Sequence, residues 1–248
     1  MVQLTFLKSM NKKIWVLILV LAILIGFAVF RDRPEEEPVI NEKEPVEESY
    51  DELREIITGF IGTPYALGPM DEENVYEENV FDCTTLVLVT VANLHGERPE
   101  EKIKEVNYYP PGEVSYESRL HFSTYRNKVS DYFEDITAKV GEGHVNQKRV
   151  TLNEDRIIDI DWQEEIMIDY IRIEDALKVT DNLPEVAGVM FIRDGNADIG
   201  LDINHEGFIL DGTDLVHASP DHGQVYREDF GNYLQRSNND AVAFYKIN

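Results

Sequence analysis

The chain holds one cysteine, and it sits in Phe81-Asp82-Cys83-Thr84-Thr85, directly before the apolar run Leu86–Leu94. That run is too long for an ordinary strand, and Asp82 stands where a helix cap belongs, so the spacing predicts a buried helix starting near Cys83. A thiol at a helix N-terminus faces unpaired backbone N–H groups and the positive end of the macrodipole, which favour thiolate. Acyl chemistry on a thiolate also needs an imidazole to carry the proton and a group to orient that imidazole. His205 and His217 supply two imidazoles on predicted strands joined by an Asp211-Gly212 turn, a hairpin signal. They are expected to share a face of the sheet against the start of the Cys83 helix, with His217 fixing the tautomer of His205. The same residue types also fit a small buried thiol without chemistry and a hydrogen-bonded core histidine pair. A metal site would need a third ligand at a recognisable spacing, and none is present.

These side chains have to be positioned by the rest of a 248-residue chain, long enough for one large domain or two small ones. A hydrophobic content of 43% is enough for a real core. A single cysteine excludes an intrachain disulfide and a multi-cysteine zinc site. The net charge of −25 argues against a nucleic-acid partner. The first 33 residues carry five basic residues (Lys8, Lys12, Lys13, Arg31, Arg33) and one acid, Asp32. The remainder therefore holds 18 basic and 47 acidic residues, a charge of −29 that fits a solvated, self-repelling surface.

In chain order, residues 1–13 precede an uncharged stretch of seventeen residues, Ile14–Phe30, near the lower limit for spanning a bilayer. The basic excess on its N-terminal side orients the N-terminus to the cytoplasm and the rest outside. A cleaved signal peptide is the alternative, but no Ala-x-Ala site follows. Residues 31–48, rich in Pro and Glu, are expected to be an extended tether. The catalytic domain would occupy 49–248. It begins with a helix capped by Ser49 and Glu52, with Tyr50, Leu53, Ile56, Ile57 and Phe60 on one face. A turn-rich segment then places Tyr65 in a loop, followed by an acidic insert, Asp71–Asn79. Glu117–Val140 is expected to mix helix and loop, and Arg119 and His121 stand out there as polar residues. Strands are predicted at 165–173, 186–192, 201–210, 214–219 and 241–247, with a short helical piece at 229–234. Helices followed by hairpin-connected strands predict an α+β fold with an antiparallel sheet.

The ordered combination Gly62-Thr63-Pro64-Tyr65, Asp82-Cys83-Thr84-Thr85, His205-Glu206-Gly207-Phe208 and Val216-His217-Ala218-Ser219 resembles the papain-like cell-wall hydrolases of the NlpC type. Phe81-Asp82-Cys83-Thr84-Thr85 and Arg119-Leu120-His121-Phe122 look more like one branch, described as N-acetylmuramoyl-L-alanine amidase-like. The resemblance spans about 50–248. It implies a papain-like fold, no cofactor, a peptidoglycan or muropeptide substrate, Cys83 as nucleophile, His205 as base and His217 as its orienting partner. Tyr65, Asp82, Arg119 and His121 are then expected on the oxyanion or substrate side. Asp-Cys-Thr-Thr departs from the Asp-Cys-Ser-Gly common in the parent family, and Leu67-Gly68-Pro69 replaces Trp-Gly-Gly; both changes bear on which amide is cut. The other readings are a papain-like acyltransferase and a catalytically dead wall-binding module.

Overall fold

Helix α1, Tyr50–Gly59, turns the predicted apolar face inward: Leu53 and Ile57 are buried, and Tyr50 and Phe60 pack on the same cluster. The computed structural model describes residues 50–68, 75, 77–96 and 98–248. The expected membrane helix, the tether, the Ser49 side of the first cap and most of the acidic insert lie outside the described residues. Among the described residues, no helix is long and apolar enough to cross a membrane.

Helix α2, Cys83–Leu94, begins at the thiol as expected, with Asp82 as N-cap accepting from the Thr85 N–H at 2.7 Å. Its residues 85–92 are buried all round. It is therefore a central helix, held between α1, α3 (Pro99–Val106) and the sheet. Helix α4, Ser123–Val129, follows a loop in which Tyr108 and Arg119 pair across a single bridge.

The sheet is antiparallel throughout. Its strands are β1 (Phe133–Asp135), β2 (Val145–Leu152), β3 (Glu164–Arg172), β4 (Val186–Ile192), β5 (His205–Leu210), β6 (Asp214–Ser219), β7 (Gln224–Asp229) and β8 (Ala241–Ile247). The order is β2-β3-β8-β4-β5-β6-β7, with β1 added on β8. Helix α5, Phe230–Arg236, sits between β7 and β8 in sequence. One face packs on the cluster containing Leu86, Phe208 and Val216, the other on Phe191, Ile209, Leu215 and Phe230. This is the expected α+β arrangement of N-terminal helices with an antiparallel sheet.

Asp211 and Gly212 both have positive φ, 51° and 69°, and with Thr213 they form the three-residue loop between the paired residues Leu210 and Asp214 that joins β5 to β6. Arg54 of α1 clamps this turn with two 2.7 Å bonds to the Asp211 carboxylate. The hairpin thereby fixes the register on which the histidines depend.

Candidate active site

Register explains how the two histidines meet. Phe208 pairs with Val216 and Ile209 with Leu215, so His205, Gly207, Leu215 and His217 project from the same face. His205 and His217 are diagonal neighbours, with Gly207 opposite His217. A Cβ at 207 would lie 2.9 Å from the His217 Cβ and 2.8 Å from the Val216 carbonyl oxygen. Glycine at 207 is what lets the His217 ring lie across the strand toward His205. The rings then meet at 2.7 Å, His205 Nε2 to His217 Nδ1.

The second His217 nitrogen, Nε2, lies 2.9 Å from Glu228 Oε1 on β7, and Arg236 of α5 pairs with the same carboxylate. Burial works to raise Glu228, but Arg236 and His217 outweigh it and hold its carboxyl below the usual range. An ionised Glu228 can only accept, so His217 carries its proton on Nε2 and accepts at Nδ1. His205 must then donate from Nε2. Burial and the His217 ring lower His205 to about 3, so it is neutral and its Nδ1 keeps a lone pair. The network thus assigns His205 Nδ1 as the proton acceptor of the site. Tyr233 backs both rings, 5.1 Å from His217 and 6.2 Å from His205 between centroids.

Cys83 is half-buried. The Glu206 backbone N–H and the Thr84 hydroxyl are placed to donate to its sulfur. The thiol therefore meets the strand at the residue next to His205. Among the described residues, no hydrogen bond joins the sulfur to the His205 ring directly. The expectation of a dipole-stabilised thiolate is corrected here: burial, then the Glu206 and Asp82 carboxylates, push the thiol up to about 12. The helix end is real, but burial outweighs it, and the two nearby acids add to the shift. The resting pair is a neutral thiol and a neutral imidazole.

Tyr65 lies in the loop expected of it, paired with Phe81 by a single bridge. Its hydroxyl is raised by burial, then by Cys83 and Asp82, so it is a protonated donor beside the sulfur. Asp82 spends one oxygen on Thr85 and the other on the Gly68 N–H at 3.3 Å, the work of a cap and loop anchor. Arg119 and His121 line a separate cavity with Tyr109, Tyr125 and Trp162 rather than joining the histidine pair.

Sequence reasoning missed the acids. Glu206 is fully buried on the face opposite His205, bound by Arg126 at 2.9 and 3.2 Å and by Ser123 at 3.1 Å. An acid inside the strand His205–Leu210 was the available signal; nothing in Ser123–Val129 marks Arg126 as its partner. Glu228 was missed with its strand. Among the described residues, no cluster of three or more His, Cys, Asp or Glu side chains is arranged to hold a metal.

Two buried neutral histidines make stability depend on pH. Both His205 and His217 are lowered by burial, so the unfolded chain binds their protons more readily. Their contribution is complete above the ordinary histidine range and is lost as pH falls below about 6.5. Urea unfolding should lose on the order of 2 kcal/mol from His205 alone between pH 6.5 and 5. In His205→Asn that slope should shrink; an unchanged slope would mean the ring is not held neutral.

A family model described as AmiA-like, N-acetylmuramoyl-L-alanine amidase-like, matches residues 55–241. The crystal structure of an N-acetylmuramoyl-L-alanine amidase from Bacteroides uniformis is similar, with TM-score 0.66 and 15% identity, over 80% of this chain and 98% of that one. A Bacteroides fragilis protein provisionally called a xylanase gives TM-score 0.61 and 18% identity, over 77% of this chain and 99% of that one. Identities this low speak for the fold alone. No curated protein matches the chain.

Proposed function

From the premise that the chain belongs to the AmiA-like, N-acetylmuramoyl-L-alanine amidase-like family, we propose that it is a papain-like cysteine amidase of the NlpC type. Its substrate is peptidoglycan or a muropeptide. The bond is the amide between the muramoyl lactyl group and L-alanine, with the γ-D-Glu–diamino acid amide as the competing position. The observation that carries this reading is the Glu228–His217–His205 chain, which leaves His205 Nδ1 unprotonated on the strand whose next residue, Glu206, turns its backbone N–H to the helix-borne thiol.

In the proposed reaction the Cys83 sulfur attacks the amide carbonyl carbon while its proton passes to His205 Nδ1. Because each charge alone is disfavoured by burial, thiolate and imidazolium form together and offset one another. The tetrahedral oxygen is received by the Cys83 backbone N–H and the Tyr65 hydroxyl. His205 then protonates the departing amine, which leaves as the C–N bond breaks, giving a thioester on Cys83. Water, deprotonated by the same ring, attacks the thioester; the sulfur leaves and regains the proton. His217 keeps the ring in register and Glu228 keeps the His217 tautomer. Glu228 was the orienting group absent from the expected three-residue row. Asp82 holds the helix start, and Arg119 and His121 act on the substrate side.

The uncharged stretch Ile14–Phe30 and the acidic segment after it support an uncleaved anchor and tether, with the amidase domain outside the membrane. Mass spectrometry of digested muropeptides tests the function. The expected products are free stem peptide beginning at L-Ala and peptide-free glycan ending in a muramoyl carboxylate. Peptides cut after D-Glu would move the reading to the second bond, and intact muropeptides would overturn it.

A further inference from the structure

Helix α4 borders a cavity of about 240 Å³ that the thiol chemistry does not use. Its apolar wall includes Ile166 and Ile168 of β3, Met190 of β4 and Ala243 of β8. Polar groups come from three elements: Asn127 and Lys128 from α4, Asp135 from β1 and Tyr245 from β8. The Tyr245 ring is seated over a glycine. A Cβ at Gly188, its cross-strand partner, would lie 2.2 Å from the ring, so only glycine fits beneath it. Phe133 meets the same ring edge-on at 5.6 Å. The Tyr245 hydroxyl is buried and has no hydrogen-bond partner among the described residues. Phenylalanine would fill the same seat without orphaning a donor, so the hydroxyl marks a place for an acceptor that the chain does not supply.

The neighbouring polar groups are underused as well. Asn127 Oδ1 accepts from Arg126 Nε at 3.0 Å, which orients the amide and leaves Nδ2 with only the Met190 sulfur, at 3.8 Å. Lys128 Nζ lies 3.8 Å from Glu164 Oε1, an ion pair too long for a hydrogen bond. The Lys128 side chain is 57% exposed and Asp135 is exposed too, so one cation and one anion stand at the rim. Burial pushes Tyr245 well above the usual tyrosine value, so its hydroxyl keeps its proton and can donate.

We propose that this cavity binds a free aliphatic α-amino acid as its zwitterion. The carboxylate receives the three donors, Lys128 Nζ, Asn127 Nδ2 and Tyr245 Oη, and the ammonium group meets the Asp135 carboxylate. The side chain is buried against Ile166, Ile168, Met190 and Ala243, the apolar wall with a few placed polar groups that a small-molecule site requires. A plain hydrocarbon would leave all of those donors unmet. A simple carboxylate would leave Asp135 unpaired and would approach a chain of net charge −25, whereas a zwitterion carries no net charge. A cavity of roughly 150 Å³ takes benzene, so this one takes roughly ten non-hydrogen atoms, the size of leucine. Cys83, His205 and His217 do not line it, so binding is independent of the amidase chemistry.

The test follows the methionine methyl groups of the full-length protein by NMR during titration with L-leucine and, separately, D-leucine. Met190 lines the cavity and reports its filling. A saturable shift of the Met190 methyl is expected with at least one hand of leucine. Isocaproate and isoamylamine, which keep the tail and lose one charge each, should bind at least about tenfold more weakly. Lys128→Gln and Asp135→Asn should each weaken leucine about tenfold, and neither exposed side chain puts the fold at risk. Tyr245→Phe removes only the hydroxyl; it should weaken leucine without lowering Tm. No saturable Met190 shift with either hand would overturn the proposal. So would isocaproate or isoamylamine binding as tightly as leucine, or affinity unchanged in both Lys128→Gln and Asp135→Asn, since either result describes a merely apolar hole. Leucine binding that persists in Cys83→Ala, or in a wild-type protein that cuts no muropeptide, would uphold the site whatever becomes of the amidase.

Discussion

Cys83→Ala should lower muropeptide hydrolysis by at least about 10⁴-fold while leaving thermal unfolding within a degree or two of the parent. The magnitude follows from covalent catalysis: removing the nucleophile of a concerted acyl-transfer unit costs orders of magnitude, and the residual rate comes from binding and oxyanion donors alone. The fold should survive because the helix start is held by Asp82 through Thr85 and Gly68, not by the sulfur. The buried body of α2, residues 85–92, is untouched. The high resting position of the thiol, about 12, adds a second signature. Free iodoacetamide at neutral pH should alkylate Cys83 slowly, since thiolate is formed only as substrate draws the proton to His205. An Ala variant that turns over normally would remove the thiol from the chemistry.

Arg126→Met should destabilise the domain by roughly 3–5 kcal/mol, the largest loss expected from a residue outside the catalytic set. Arg126 and Glu206 are both 0% exposed and bonded through two contacts. Burial alone would lower Arg126, but the Glu206 carboxylate more than offsets it and its pKa ends raised. Removing the guanidinium strands a carboxylate in the core, one residue from His205 and facing the thiol. For a domain of this size the loss is worth about 10 °C in Tm. If the single variant is too unstable to purify, the double change Arg126→Met with Glu206→Leu keeps the test open. It should recover most of the stability, because no charge is left unpaired. Equal instability of single and double variants would mean that packing, not charge, is what Arg126 supplies.

Much of this arrangement can be read from the sequence, for physical reasons that also mark where reading stops. Leu86–Leu94 could only be a buried helix, and Asp82 announced its start. Asp211-Gly212 fixed a hairpin because both residues tolerate positive φ, and the central strands β4 and β8 betray themselves as near-continuous apolar runs. The two outer strands of the sheet stay hidden. Val145–Leu152 and Gln224–Asp229 lie at its edges, keep one face in solvent and carry charges that blur the alternation. Glu228 sits on one of them, so the residue that fixes both histidine tautomers is illegible until β7 is placed against β6. Glu206 and Arg126 pair across 80 positions, and no local pattern records such a distance. The direction of the thiol shift fails for the same reason: it depends first on burial of the helix start and then on Glu206, and only the fold supplies both.

The most direct measurement is the intact mass of wild-type protein acid-quenched during turnover of a muropeptide, followed by peptide mapping. The account predicts a thioester adduct of one muramoyl-containing acyl group on the peptide that carries Cys83, absent in His205→Ala, where no ring takes the thiol proton or protonates the leaving amine. Product formation with no adduct at Cys83, or with an adduct on another residue, would contradict it.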